Sequence, residues 1–470
     1  MQIASYCPMR CVLALLGAAL VTAATGALAA TGSAASAGTG AGAEQPLLRE
    51  IAHSPDPGQL QATVQVLVGF GTRHSLSDDA SPRRGIAAAR RWAQSRFAEI
   101  GRDCGGCLAI VTPSQTVTGE RVPKPAEIID VVAIQKGSTD PQRVIVLTGH
   151  IDSRNSDPMN ASADAPGADD DASGVAVVIE AARILSRHKF PATIVYGVLS
   201  GEEQGLYGGK VLADYAKAQG WRVEADLNND IVGASRGQNG IVNPTRLRVF
   251  SEGTRDTETA EDAKQRRAEG GENDSASRNV ARYAKAVAES YIPHWTVALV
   301  YRLDRFGRGG DHSAFNALGL PAVRFTENAE DYRHQHQDVR TEGGVEYGDT
   351  IAHVDFVYLA KVTATNALTA ASMASAPPPP VNVKITGAVT PDTQLSWTAS
   401  PGAAAASYRV HWRDTTEPAW THARDAGKNL TLTLKNIAID DSAFGVASVS
   451  ADGFESPVVF PGAAGAFWAR

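Results

Sequence analysis

Between Pro46 and Ala374, short apolar runs alternate with amphipathic segments, and no other feature restricts the fold as much. EIIDVVAIQ, RVIVLTGH, TIVYGVLSGEE and WTVALVYRL read as strands. GIAAARRWAQSRFAEI places Ile86, Ala89, Trp92, Phe97 and Ile100 roughly on one helical face. GVAVVIEAARIL, LYGGKVLADYAKAQG, SASRNVARYAKAVAES and DFVYLAKVTATNALTAASM continue the helical pattern. This order predicts an α/β fold, a three-layer sandwich with a mostly parallel central sheet. Ligands of such sheets bind beyond the carboxyl ends of the strands, so the residues that close each apolar run matter most.

A chain of 470 residues exceeds one ordinary core, and two domains are expected. Arg10, the apolar CVLALLGAALVTAATGALAA and the small-residue site Ala27-Leu28-Ala29 read as a signal peptide over 1–29, which predicts export to a periplasm or the medium. No other stretch is long and apolar enough to span a bilayer. Residues 30–45 are small and polar, a flexible leader. The main domain follows over 46–374. At ASAPPPP the composition changes, and 375–380 reads as a proline-rich linker. Beyond it LSW, SYRVHW, NLTLTL and FGVASVSADGFES are short strands separated by turns, a small all-β sandwich over 381–470. With Trp397 placed for burial and Tyr408, Val410 and Trp412 alternating, this region resembles a fibronectin type III domain. It would contact a surface or polymer, or space domains, without chemistry of its own. The charged stretch from Gly253 to Ser277 reads as a solvated loop. Cys104 and Cys107 in CGGC suit a local disulfide, since no second pair completes a metal cage. Apolar residues at 43% and charged residues at 20% are globular values, and the net charge of −7 supplies no basic face for nucleic acid.

The chemistry-bearing residues cluster where strands stop. His150 and Asp152 in GHIDS share a face at period two, so the imidazole could bind a metal while the carboxylate holds its ring. PGADDDASG sets Asp169, Asp170 and Asp171 before a helix. Capping explains one aspartate or two, and not all three. Glu202 and Glu203 are adjacent and point in different directions: one can ligate while the other faces a reacting water. Asp230 closes EADLNN, and YRHQHQDV offers His334 and His336. Such mixed nitrogen and oxygen ligands suit zinc, with one carboxylate bridging two ions.

GHIDS, GADDDASG, SGEEQGLYG, NDIVG and GGDHSAFNALGLPAV, in this order, closely resemble segments of the secreted bacterial zinc aminopeptidases of the co-catalytic dizinc, leucyl-aminopeptidase-like exopeptidase family, over about residues 46–370. The resemblance implies two zinc ions. His150 and Asp230 would each hold one, supported by Glu203 and the last histidine, and Asp170 would bridge them. Glu202 would be the general base and Asp152 would orient His150. A cis peptide would precede Asp171, and Asp311 and His312 would be structural. The last ligand departs from the simple pattern. His334 with Asp338 has the family's spacing but lacks the following threonine, and Asp349-Thr350 supplies the pair before the final helix instead. The longer segment with Gln-His-Gln favours His336, with His334 the alternative. The implied activity is hydrolysis of the N-terminal bond of peptide or protein substrates. A carboxypeptidase of the same fold would need a cation such as Arg302, Arg305 or Arg308 at the site. A cyclase would use one zinc, and an inactive peptidase-like binding protein would bind none.

Overall fold

The computed structural model describes residues 45–78 and 80–468; the expected signal peptide and nearly all of the leader lie outside them. Its centre is an eight-stranded sheet. In spatial order the strands are Leu108–Val111, Val131–Gln135, Ala192–Leu199, Asp140–His150, Arg222–Asn229, Ala322–Glu327, Arg246–Ser251 and Thr296–Val300. The middle four run parallel, while the edges include antiparallel pairs. The reason lies in the apolar runs. Every residue of Ala192–Leu199 is buried, as expected of a parallel strand covered on both faces. In strand Asp140–His150, Ile145 and Leu147 join one core and Val144 and Val146 another, so period-two alternation feeds two layers at once. Helices Ala172–Leu185 and Phe356–Ser375 cover the first face, and Tyr207–Ala218 with His312–Ala317 the second.

Two expectations need correction. EIIDVVAIQ is not one strand. It divides at Asp130 into Val122–Ile129, which forms a hairpin with Ser114–Gly119, and Val131–Gln135 in the main sheet. Asp130 is buried at the break, its N–H donating to the Pro113 carbonyl and its Oδ1 accepting from Ser200 N at 2.9 Å. The Gly253–Ser277 stretch is not all loop. Ala260–Glu269 is a helix with no buried residue, started by a capping box between Thr259 and Asp262 and ended by Gly270 in the left-handed region. Capping replaces the missing apolar face as the local signal. Cys104 and Cys107 are joined by a disulfide.

The C-terminal region forms two three-stranded antiparallel sheets. One holds Val381–Thr386, Thr393–Thr398 and Thr431–Leu434; the other holds His422–Gly427, Ser407–Asp414 and Ser442–Val449. Trp397, Tyr408 and Val410 are buried. Trp412 is only half-buried, because the alternation slips after His411 and turns Arg413 inward. Arg413 meets Asp274 of the main body at 2.7 Å, and Arg282 Nη1 lies 3.0 Å from the same carboxylate, all three side chains 2% exposed. The proline run is also enclosed: Pro377 to Pro380 are buried, and the buried Arg143 donates to the carbonyls of Met373, Ala374 and Ala376. The described residues form one compact unit. Replacing Asp274 by alanine would strand two buried guanidiniums, and a loss of about 3–5 kcal/mol is expected in denaturant unfolding; an unchanged midpoint would show that the junction carries no stability.

Candidate metal centre

Because the middle strands are parallel, their carboxyl ends share one edge. His150 is the last residue of its strand, beside Leu199 of the next. Glu202 and Glu203 follow Leu199, and Asp230 follows Asn229. Asp170 arrives from the turn before helix Ala172–Leu185 across a cis Asp170–Asp171 peptide, as the resemblance implied.

Asp170 stands between two groups. Its Oδ1 is 3.2 Å from His150 Nε2, which also faces Asp230 Oδ1 at 3.9 Å. Its Oδ2 is 2.8 Å from His336 Nε2, which lies 3.0 Å from Glu203 Oε1. His150, Asp170 and Asp230 therefore form one potential metal group, and Asp170, Glu203 and His336 a second. This partition corrects the expected pairing: His150 and Asp230 belong to the same group, not to one ion each. It also separates the two histidines. An extended segment would have aimed both to one side, but His336 has a φ of 50°, in the left-handed region. The chain turns there, and His334 stacks on His353 with ring centroids 3.5 Å apart, outside both groups.

The surroundings fit a cation. His150 Nδ1 lies 3.1 Å from the Asp152 backbone carbonyl, to which it donates, leaving Nε2 directed at Asp170 and Asp230. His150 Nε2 and Glu203 Oε1 are buried without a hydrogen-bond partner. Burial opposes charge on His150, yet Asp152, Asp170 and Asp230 outweigh it and hold the imidazole well above its ordinary range. Positive charge at Nε2 is thus favoured, whether carried by a proton or by a metal. In the second group Arg154 holds its Nε 3.0 Å from Glu203 Oε2 and its Nη2 2.6 Å from His336 Nδ1. A guanidinium only donates, so ligation through His336 Nε2, which puts the ring proton on Nδ1, requires Arg154 to release that contact.

The supporting residues also anchor backbone around the site. The Asp152 carboxylate is 3.6 Å from His150 Nδ1, and its closer partners are Ser75 Oγ at 2.9 Å, Glu203 N at 3.1 Å and Glu202 N at 3.3 Å. Asp152 thus meets the His150 ring through both its carboxylate and its backbone carbonyl, and it also fixes the glutamate turn. Asp171 caps the following helix through Gly174 N and accepts His150 N at 2.9 Å. Asp311 accepts Gly209 N, and His312 Nε2 pairs with the Leu303 carbonyl, both structural roles as expected. Sequence reasoning missed two holders. Asp349 receives Asp169 N and Asp170 N, each at 2.8 Å, and the buried Arg324 pairs with Asp230 at 2.8 Å. In the sequence Asp349 stands out only as part of the pair before the last helix, and Arg324 carries no local signal.

The groups open into a cleft of about 770 Å³ that Glu202 also lines. Burial drives the Glu202 carboxyl well above its ordinary range; His150 opposes the shift, and Asp230 and Glu203 add to it. Among the described residues no helix is long and apolar enough to cross a membrane.

Two ligand groups sharing a buried carboxylate at the carboxyl edge of an α/β sheet, with a free glutamate beside them, define a metal-dependent hydrolase. Residues 130–355 match the model of peptidase family M28. The chain is 44% identical over 419 residues to a "Probable zinc metalloprotease" of Leptosphaeria maculans, covering 89% of this chain and 96% of that protein. It is likewise 44% identical to one of Pyricularia oryzae, covering 86% and 82%. The chain belongs to peptidase family M28 and is a zinc metalloprotease. Residues 1–380 cannot hold a match of 419 residues, so the first alignment runs into the C-terminal sheets. The LapA aminopeptidase structure of Legionella pneumophila shares the fold with a TM-score of 0.50 at 18% identity, over 70% of this chain and 74% of that one. These two relatives are fungal, where the resemblance implied bacterial ones.

Proposed function

We propose that this zinc metallopeptidase is an exported aminopeptidase that holds two zinc ions and removes N-terminal residues from peptides. The observation that carries the reading is Asp170, whose two oxygens face separate ligand groups while Glu202 stands in the same cleft outside both. His150 and Asp230 would hold one ion, Glu203 and His336 the other, and Asp170 both. Bound zinc supplies Lewis acidity for the scissile carbonyl and acidifies water toward neutrality. Glu202 takes the proton of the attacking water and returns it to the leaving amine. Asp152 keeps Glu202 and Glu203 in register through their backbone N–H groups, so base and ligand move as one turn. The five motifs in family order support the aminopeptidase choice, and the signal-like first 29 residues support export. The C-terminal sheets are, in this reading, a fibronectin type III-like module without its own chemistry. The carboxypeptidase alternative keeps one specific observation, since Arg305 and Arg308 do line the cleft.

Metal analysis of the purified chain together with hydrolysis of a short peptide, free or N-acetylated, tests the proposal. Two zinc ions and cleavage of the free peptide alone are expected. Cleavage of both peptides would replace it with a carboxypeptidase, and neither zinc nor cleavage with a binding protein.

A further inference from the structure

On one wall of the cleft two arginines share a single carboxylate oxygen. Arg305 and Arg308 sit on the loop after strand Thr296–Val300, and both line the cleft. Their Nη1 atoms converge on a single oxygen, Glu330 Oε2, at 3.2 and 3.4 Å. Gln335 Nε2 donates to that oxygen at 3.2 Å, and Arg248 takes Glu330 Oε1 at 2.7 Å. One carboxylate therefore serves three guanidiniums. Arg305 has a second partner, Asp304, at 3.2 Å, but Arg324 shares it at 3.0 Å. The remaining carboxylate is Asp230, paired with Arg324 and belonging to the first ligand group.

Within this set of ion pairs, four guanidiniums share three carboxylates. Once Asp230 is committed to a metal, two carboxylates remain for four cations. Arg305 feels this directly. Burial works against its charge, but Asp230, Glu330, Asp304 and Asp170 outweigh it and hold the guanidinium above its ordinary range; two of those four carboxylates, Asp230 and Asp170, belong to the ligand set. Arg308 is the open end of the cluster, with its side chain 35% exposed and, among the described residues, a single long ion pair to Glu330. Guanidiniums crowded in a partly dry site favour an anion, and a planar fork suits a carboxylate. A peptide offers that group in two ways, as its C-terminal carboxylate or as an acidic side chain.

We infer that Arg305 and Arg308 form a carboxylate-binding subsite of the cleft, selecting peptides that present a carboxylate close to the scissile bond. The inference rests on the peptidase reading and narrows its substrates.

Three peptides with one N-terminal residue separate the sources: Leu-Gln-amide, Leu-Gln and Leu-Glu-amide. With the zinc-loaded full chain, either Leu-Gln or Leu-Glu-amide is expected to exceed Leu-Gln-amide in kcat/KM by about ten- to a hundredfold, the range of a charge-assisted contact. The peptide that gains identifies the terminal or the side-chain carboxylate as the ligand. Arg308→Gln and Arg305→Gln should bring the ratio toward one without changing zinc content, whereas Arg302→Gln, on the same loop but outside the cleft lining, should leave the ratio intact. Equal rates on all three peptides, or a preference surviving both cleft variants, would overturn the subsite and leave the aminopeptidase reading standing. If none is cleaved, that reading fails, and calorimetric binding of the same peptides to the zinc-loaded Glu202→Gln chain still decides: tighter binding of a carboxylate-bearing peptide upholds the subsite, and equal binding rejects it.

Discussion

Glu202→Gln is expected to retain its zinc and lower kcat for peptide hydrolysis by about 10²- to 10⁴-fold, with little change in KM. Glutamine has the shape of glutamate and cannot accept the proton. The turn that carries it is held through the backbone N–H groups of Glu202 and Glu203 by Asp152, so the substitution removes no anchor. Glu202 also stands outside both ligand groups, which predicts unchanged metal content. Glu203→Gln should behave differently, because it weakens the group of Asp170 and His336 and loses metal along with activity. Kinetics and metal analysis on the same preparations separate the two. A Glu202→Gln chain with full kcat would mean that another group serves as base.

The ligand residues were legible because each lies at the end of an apolar run or in a compact motif. His150, Asp170, Glu203 and Asp230 needed only the rule that parallel strands present their carboxyl ends to one edge. Their partition was not legible. Which of Asp230 and Glu203 faces His150 depends on how the Asp170 turn enters, and that turn is set by Asp349, nearly 180 residues away, accepting two successive N–H groups. The choice between His334 and His336 depends on one backbone angle that no spacing rule encodes. Arg324 and Arg154 were invisible for a further reason. An arginine pairing across the fold carries no periodic or motif signature, and its partners appear only once the strands are in register. The exposed helix Ala260–Glu269 escaped because apolar periodicity, the main helical cue, is absent where no face is buried.

Asp170→Ala should lose both zinc ions and all peptidase activity, whereas His336→Ala should lose one ion and retain the other with His150 and Asp230. The contrast follows from the geometry. Asp170 is the only residue common to the two groups, Oδ1 toward His150 and Oδ2 toward His336. The turn itself should survive truncation of this side chain, because Asp349 holds the backbone at Asp169 and Asp170, and Asp171 ties His150 N to the helix that follows. Zinc per chain after dialysis, with thermal unfolding to confirm a folded protein, reads the result. Loss of a single ion from Asp170→Ala would mean that the carboxylate serves one group only and that the paired-ion proposal is wrong. Loss of both from His336→Ala would mean that the ions bind cooperatively, with the group of His150 and Asp230 too weak to retain its metal alone. The buried Arg324 gives a physical basis for the second outcome. It already supplies positive charge to Asp230 at 2.8 Å, and a carboxylate partly neutralised by a guanidinium is a weaker donor to a metal.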